Sequence, residues 1–199
     1  MKSDNLTITQ FMQRFNKFVI PVYQRPYSWN IGNCEQLYKD LKSIISSKRK
    51  GYFLGCFVSD GNVIGNDSVI RIIDGQQRLT TVTLLLLAIS SLIGDKKIKS
   101  NVSNLDKQIL GRYLKDDMWA SDGKIKLELL DDDQKALNSL FSGNLNSRVI
   151  SNIILNYNFF YNSIREDAQA NEYFADDLYD SIGKLQIVSI TLEDGDDPQ

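Results

Sequence analysis

The 199-residue chain contains no histidine. That absence excludes histidine-dependent catalytic triads, histidine-built metal sites and an HNH-type nuclease centre from this chain. Its two cysteines, Cys34 and Cys56, are too few and too isolated for a disulfide scaffold or a zinc site. Two reduced, buried thiols of a cytosolic protein are expected instead. No apolar run has the length of a membrane span; the stretch around Leu84 to Ile89 is too short. The opening residues Met1 to Asn5 lead into no apolar segment of the kind a secretory signal needs. No Gly-x4-Gly-Lys-Ser/Thr occurs, which excludes a Walker-type phosphate loop. Gly51, Gly55, Gly61 and Gly65 read as turn or strand glycines, not as a dinucleotide fingerprint.

What remains has the composition of a globular protein, 42% hydrophobic and 24% charged. The length allows one domain, or a domain with a helical extension. The formal net charge of −2 hides an asymmetry. Through Lys115 there are 17 Lys/Arg against 8 Asp/Glu, and from Asp116 onward 6 against 17. A polyanion is therefore drawn to the first part and repelled by the second. For most of the acidic residues, solvation of exposed helix faces is the simpler explanation.

The chain is organised around Ile72 to Thr81. Ser68 to Ile73 is short and rich in β-branched residues, which predicts a buried strand. Leu79 to Ile93 is almost continuously apolar and long enough for about four turns of helix. Between them, Asp74-Gly75-Gln76-Gln77-Arg78 forms a tight turn and a polar first helical turn. A helix start presents unpaired N–H groups and partial positive charge, and so suits an anion. Gly75 lets backbone come close to a ligand. The Arg78 side chain leans back toward the same spot, where its planar fork matches phosphate. The same residues serve equally well as an N-cap (Asp74), a turn glycine and a surface charge.

Asp74-Gly75-Gln76-Gln77-Arg78-Leu79-Thr80-Thr81 resembles the signature of the GmrSD-type restriction endonuclease N-terminal domain, in the ParB/sulfiredoxin-like group. A second block, Ile20-Pro21-Val22-Tyr23-Gln24-Arg25-Pro26-Tyr27-Ser28-Trp29, resembles that family's upstream motif, and Tyr52-Phe53-Leu54-Gly55 its linking strand. The likeness is strong over Phe18 to Leu92 and general beyond. It implies nucleoside-triphosphate binding and hydrolysis in a modification-dependent restriction, phage-defence system, with a partner nuclease domain or subunit and DNA. In that picture the Gly75, Gln76 and Gln77 amides and Arg78 hold phosphates, helped by Thr80 or Thr81 hydroxyls. Tyr23, Gln24 and Arg25 line the same site, with Arg25 countering charge across the cleft. Asp74 orients water or a Mg²⁺ ion, and Gln77 positions the attacking water. Tyr27 and Trp29 have faces that stack on a base, but as loop anchors they are commoner. Two other functions stay open. One is a non-enzymatic ParB-like module binding DNA or protein, for which Lys48-Arg49-Lys50 offers a basic turn. The other is a carboxylate-based, metal-dependent nuclease.

The expected fold is α+β: a small ParB-like mixed sheet within residues 1–95, followed by a mainly helical extension over 96–199 that ends in a strand. Helices are predicted over Leu6 to Phe15, Asn33 to Ser47, Asn104 to Lys115, Asp132 to Phe141, Ser147 to Asp167 and Glu172 to Ile182. Strands are predicted at Phe18 to Ile20, stopped by Pro21, at Tyr52 to Ser59, at Val63-Ile64 and at Leu185 to Leu192. Lys126 to Leu130 is ambiguous. Asp131-Asp132-Asp133 reads as acids dressing a helix start rather than a cation site. The polar end, Glu193 to Gln199, follows a strand where relatives continue, so a fragment of a longer protein is expected.

Overall fold

The computed structural model describes residues 1–60, 68–116, 123–143 and 151–192. The Val63-Ile64 strand, the glycines Gly61 and Gly65, the start of the helix predicted from Ser147, and the polar tail lie outside them.

The fold is α+β. Strands β1 (Lys2–Thr7), β2 (Lys17–Val19), β3 (Tyr52–Asp60), β4 (Val69–Asp74), β5 (Leu127–Glu128) and β6 (Leu185–Leu192) form one mixed sheet. Their spatial order is β1-β6-β3-β4-β2-β5. The sheet therefore draws on both ends of the chain. β6 runs parallel to β3 and antiparallel to β1, and β5 pairs in parallel with β2 at the other edge. Residues 1–95 do not make the sheet alone.

The helices follow their sequence signals closely. Helix α1 (Ile8–Arg14) begins with a capping box in which Thr7 and Gln10 exchange hydrogen bonds, which satisfies two amides of its first turn. Asn30 and Asn33 do the same for α2 (Ile31–Ser47). The helix over Gln76–Gly94, α3, has no polar face beyond its first turns, and 78% of its most apolar stretch is buried. A helix apolar on every side belongs in a core. Among the described residues α3 is the one helix long and apolar enough to cross a membrane, and here it is the packed centre. The segment Leu105–Leu114 starts as α4 (Leu105–Ile109) and continues as a single π-helical turn. Around α3 lie α5 (Asp131–Phe141), α6 (Asn152–Ala170) and α7 (Phe174–Ile182).

The Phe11 ring lies 5.5 Å, centroid to centroid, from both Phe18 and Phe57, a spacing within the range of aromatic pair contacts. Among the described residues Lys126 is the one buried residue with a charged side chain. It is 5% exposed, and its Nζ donates to the carbonyls of Met12, Phe15 and Arg112 at 3.3, 3.1 and 3.1 Å. It thereby caps the C-terminal end of α1 and the π turn at once. Burial lowers its pKa. Cys34 is buried, and burial pushes its thiol up to about 11. Cys56 is exposed, contrary to expectation, because it sits beside inward-facing Phe57 and strand side chains alternate.

Candidate functional site

Strand β4 ends at Asp74, and Gly75 turns the chain into α3. Gly75 has φ 98° and ψ 0°, a left-handed conformation that favours glycine. It is the N-cap residue, so Asp74 is not. A Cβ at Gly75 would lie 2.7 Å from the Phe57 ring. The missing side chain thus makes room for the core, not for a ligand. The first intrahelical bond runs from Leu79 N–H to the Gly75 carbonyl at 3.0 Å. The amides of Gln76, Gln77 and Arg78 precede it, and no side chain caps the turn. These are the donors a helix start offers to an anion.

The Arg78 side chain is 21% exposed and lies across β3. Its Nη1 donates to the Leu54 carbonyl and its Nη2 to Asp74 Oδ2, both at 3.3 Å. Its Cζ sits 5.1 Å from the centre of the Phe57 ring, a cation–π distance. Glycine at position 55 allows this, within an irregular stretch of β3 where the register with β6 shifts between Phe53 and Gly55. The guanidinium is oriented by two long bonds and a ring, and keeps further N–H donors in hand.

The loop of residues 20–29 forms the facing wall. Gln24 donates to the Ile73 carbonyl at 2.8 Å and accepts from Gln76 Nε2 at 3.0 Å. Gln77 is taken up by the loop at both ends. Its Oε1 accepts from the Ser28 and Trp29 amides at 2.8 and 3.2 Å, and its Nε2 donates to the Pro26 carbonyl at 3.2 Å. To position a water, Gln77 would have to release part of that clamp. Tyr27 is buried. Its hydroxyl lies 2.7 Å from Thr81 Oγ1 and accepts from Asn156 Nδ2 at 2.9 Å. Burial raises its pKa well above the usual phenol value.

These elements enclose an open cleft of about 300 Å³ lined by Gln24, Arg25, Trp29, Asp74, Gly75, Gln76, Gln77 and Arg78. Of the residues predicted for the site, Tyr23 is 72% exposed on the same loop but outside the lining, and Thr80 and Thr81 are buried beneath it. Thr81 Oγ1 donates to the Gln77 carbonyl at 2.8 Å, so its hydroxyl serves the interior. Asp74 is 63% exposed and paired with Arg78. Among the described residues no three carboxylate or cysteine groups come together as a metal cluster. Asp74 is the one carboxylate among the described residues of the cleft lining, too few for a cation cage built by protein alone.

A larger cavity, about 680 Å³, opens between α3, α5 and α6 beside Leu87, Leu140 and Tyr157. Size does not decide between them. Only the smaller cleft joins a helix N-terminus to two arginines.

The sequence held no direct signal for Gly55 as the seat of Arg78, beyond being a glycine inside a strand. Asp133 and Asn156 were missed as well. Asp133 Oδ2 accepts from the Tyr27 amide at 2.6 Å, and Asn156 Nδ2 donates to the Trp29 carbonyl at 2.8 Å. Asn156 lies on the buried stripe Ile153, Asn156, Tyr157, Phe160. A lone amide on such a stripe was the available clue.

An α+β domain with a cationic cleft at the start of its core helix is the class that the geometry defines. The family model for the GmrSD restriction endonuclease N-terminal domain matches residues 8–199, and the chain belongs to that family. Membership ties it to restriction of DNA by an endonuclease. A search of curated proteins finds no match.

Proposed function

We propose that the cleft binds the polyphosphate of a nucleoside triphosphate and hydrolyses it to serve a nuclease domain or subunit acting on DNA. One observation carries this reading: the uncapped first turn of α3 opens into a cleft whose walls hold Arg25 and Arg78. Amide donors, a helix dipole and two guanidinium groups converge on one small volume, a combination suited to phosphate oxygens. The volume, about 300 Å³, suits the phosphate chain, with the nucleoside directed out past the exposed side of the loop.

In this reading the Gln76 and Gln77 amides and Arg78 hold the phosphates, and Arg25 counters charge from the loop. Asp74, exposed and one helical turn from Arg78, orients the attacking water or a substrate-borne Mg²⁺. Such an ion would supply charge neutralisation between phosphate oxygens. Gln77 contributes its backbone amide, while its side chain seats the loop. The buried Thr80 and Thr81 hydroxyls support the helix and not the ligand.

Titration calorimetry with ATP, GTP, CTP and UTP, each with Mg²⁺, tests the proposal. Wild-type protein is expected to bind at least one triphosphate, and Arg78→Ala to weaken it by about 100-fold, as for loss of a buried charge-assisted contact. Equal affinity in Arg78→Ala, or no binding of any triphosphate, would overturn the reading.

A further inference from the structure

The loop facing α3 is held from the far half of the chain. Asp133, in the first turn of α5, accepts the Tyr27 amide at 2.6 Å. Asn156, in the second turn of α6, donates one amide hydrogen to the Tyr27 hydroxyl at 2.9 Å and the other to the Trp29 carbonyl at 2.8 Å. The Thr81 hydroxyl donates to the Gln77 carbonyl, so the Tyr27 hydroxyl must donate to Thr81 Oγ1. The bonds then run in one direction, from Asn156 through Tyr27 and Thr81 to the backbone at Gln77. Gln77 in turn holds Ser28 and Trp29. The loop is closed between α3 on one side and α5 and α6 on the other.

Asn156 is fully buried, and among the described residues its Oδ1 has no hydrogen-bond partner. An orphaned buried acceptor is destabilising, and an apolar residue at this position on the stripe would avoid that cost. Packing therefore does not explain the amide. Its two donors do, because both end on the segment that carries the cleft wall.

We propose that Asn156 and Asp133 are positioning residues of the cleft, which fix residues 27–29 and thereby hold Trp29 and Arg25 against the start of α3. This rests on the triphosphate reading for its ligand but not for its geometry. A rigid wall lowers the ordering cost of binding. The C-terminal helices are thus part of the site without touching what it binds.

The chain has two tryptophans, Trp29 and Trp119, so Trp119→Phe leaves Trp29 as the sole indole reporter. Into that background go Asn156→Ala, Asp133→Ala and Asp133→Asn, the last keeping an acceptor for the Tyr27 amide. Iodide quenching of Trp29 is measured at 25 °C beside calorimetry with the four triphosphates. Asn156→Ala and Asp133→Ala are expected to raise the quenching constant about twofold and to weaken triphosphate binding about tenfold, the ordering cost of one or two loop side chains. Asp133→Asn is expected to restore both. Lower Tm values with quenching and affinity unchanged would overturn the proposal, by reducing both residues to ordinary structural bonds. If Asn156→Ala does not fold, the Asp133 pair decides alone. If the background protein binds no triphosphate, the functional reading fails, while quenching still decides the positioning.

Discussion

The Arg78 guanidinium occupies the place of a side chain at Gly55: a Cβ built on Gly55 would lie 1.7 Å from Arg78 Nη1. One residue lacks a side chain so that another, on a different element, has a seat. Gly55 also has φ 131°, a conformation that other residues rarely adopt.

Gly55→Ala is therefore expected to act at two levels. Backbone strain and displacement of Arg78 together should cost about 2–4 kcal/mol in urea denaturation. Triphosphate affinity should fall as far as in Arg78→Ala, although position 55 is not in the cleft lining. Wild-type stability and affinity in Gly55→Ala would show that Arg78 has a second seat of equal quality.

Lys126 makes a separate prediction, about the fold alone. Its ammonium satisfies three carbonyls from two elements inside the protein. Lys126→Met keeps the stem and removes the donors, stranding those acceptors. A loss of about 2–4 kcal/mol is expected by urea denaturation, the usual size for breaking a buried charged network. A loss below about 1 kcal/mol would mean that water or neighbouring amides take over the carbonyls.

Asp133 gives a pH dependence with a defined sign. Burial, with a smaller push from Asp132, raises its pKa above the ordinary 3.8, and the Tyr27 amide works in the opposite direction. A raised folded-state value means that its contribution to stability is fully present below pH 3.8 and is lost as pH rises through the folded value. Asp133→Asn stays neutral and keeps an acceptor. Its Tm is expected to exceed the wild-type value at pH 7, and the difference to vanish toward pH 3.5. A deficit of Asp133→Asn at pH 7 would show that the charge on the amide bond outweighs burial.

How much of this could be read in advance depended on whether the signal was local. The apolar run of α3 and the apolar stripes of the other helices are local, and helices form over them, although α2 begins at Ile31 rather than Asn33 and α3 is capped by Gly75 rather than Asp74. Strand β1 is not local. Lys2-Ser3-Asp4-Asn5 shows no apolar alternation and becomes a strand because β6 offers it an edge, with Lys2 opposite Thr191 through Thr7 opposite Gln186. The Asp74-to-Arg78 turn was legible as the polar start of the core helix because helix starts carry their chemistry in consecutive residues. Of the cleft lining, Gln24 and Arg25 follow from the resemblance of the upstream block, whereas Trp29, expected as a loop anchor, joins them and Tyr23 does not. The supports of that lining, Gly55, Asp133 and Asn156, come from three other elements. Only packing brings them together, and sequence spacing does not encode it.

The last strand of the described chain lies between the first and the third. While the polypeptide is being synthesised, β1 has no neighbour and β3 keeps one bare edge until about residue 192 has emerged. Assembly of the sheet is thus deferred until β6 is available, and the intermediate exposes backbone that other chains can pair with. Loss of the last dozen described residues would detach β1 along with β6 and leave four strands with β3 as a bare edge.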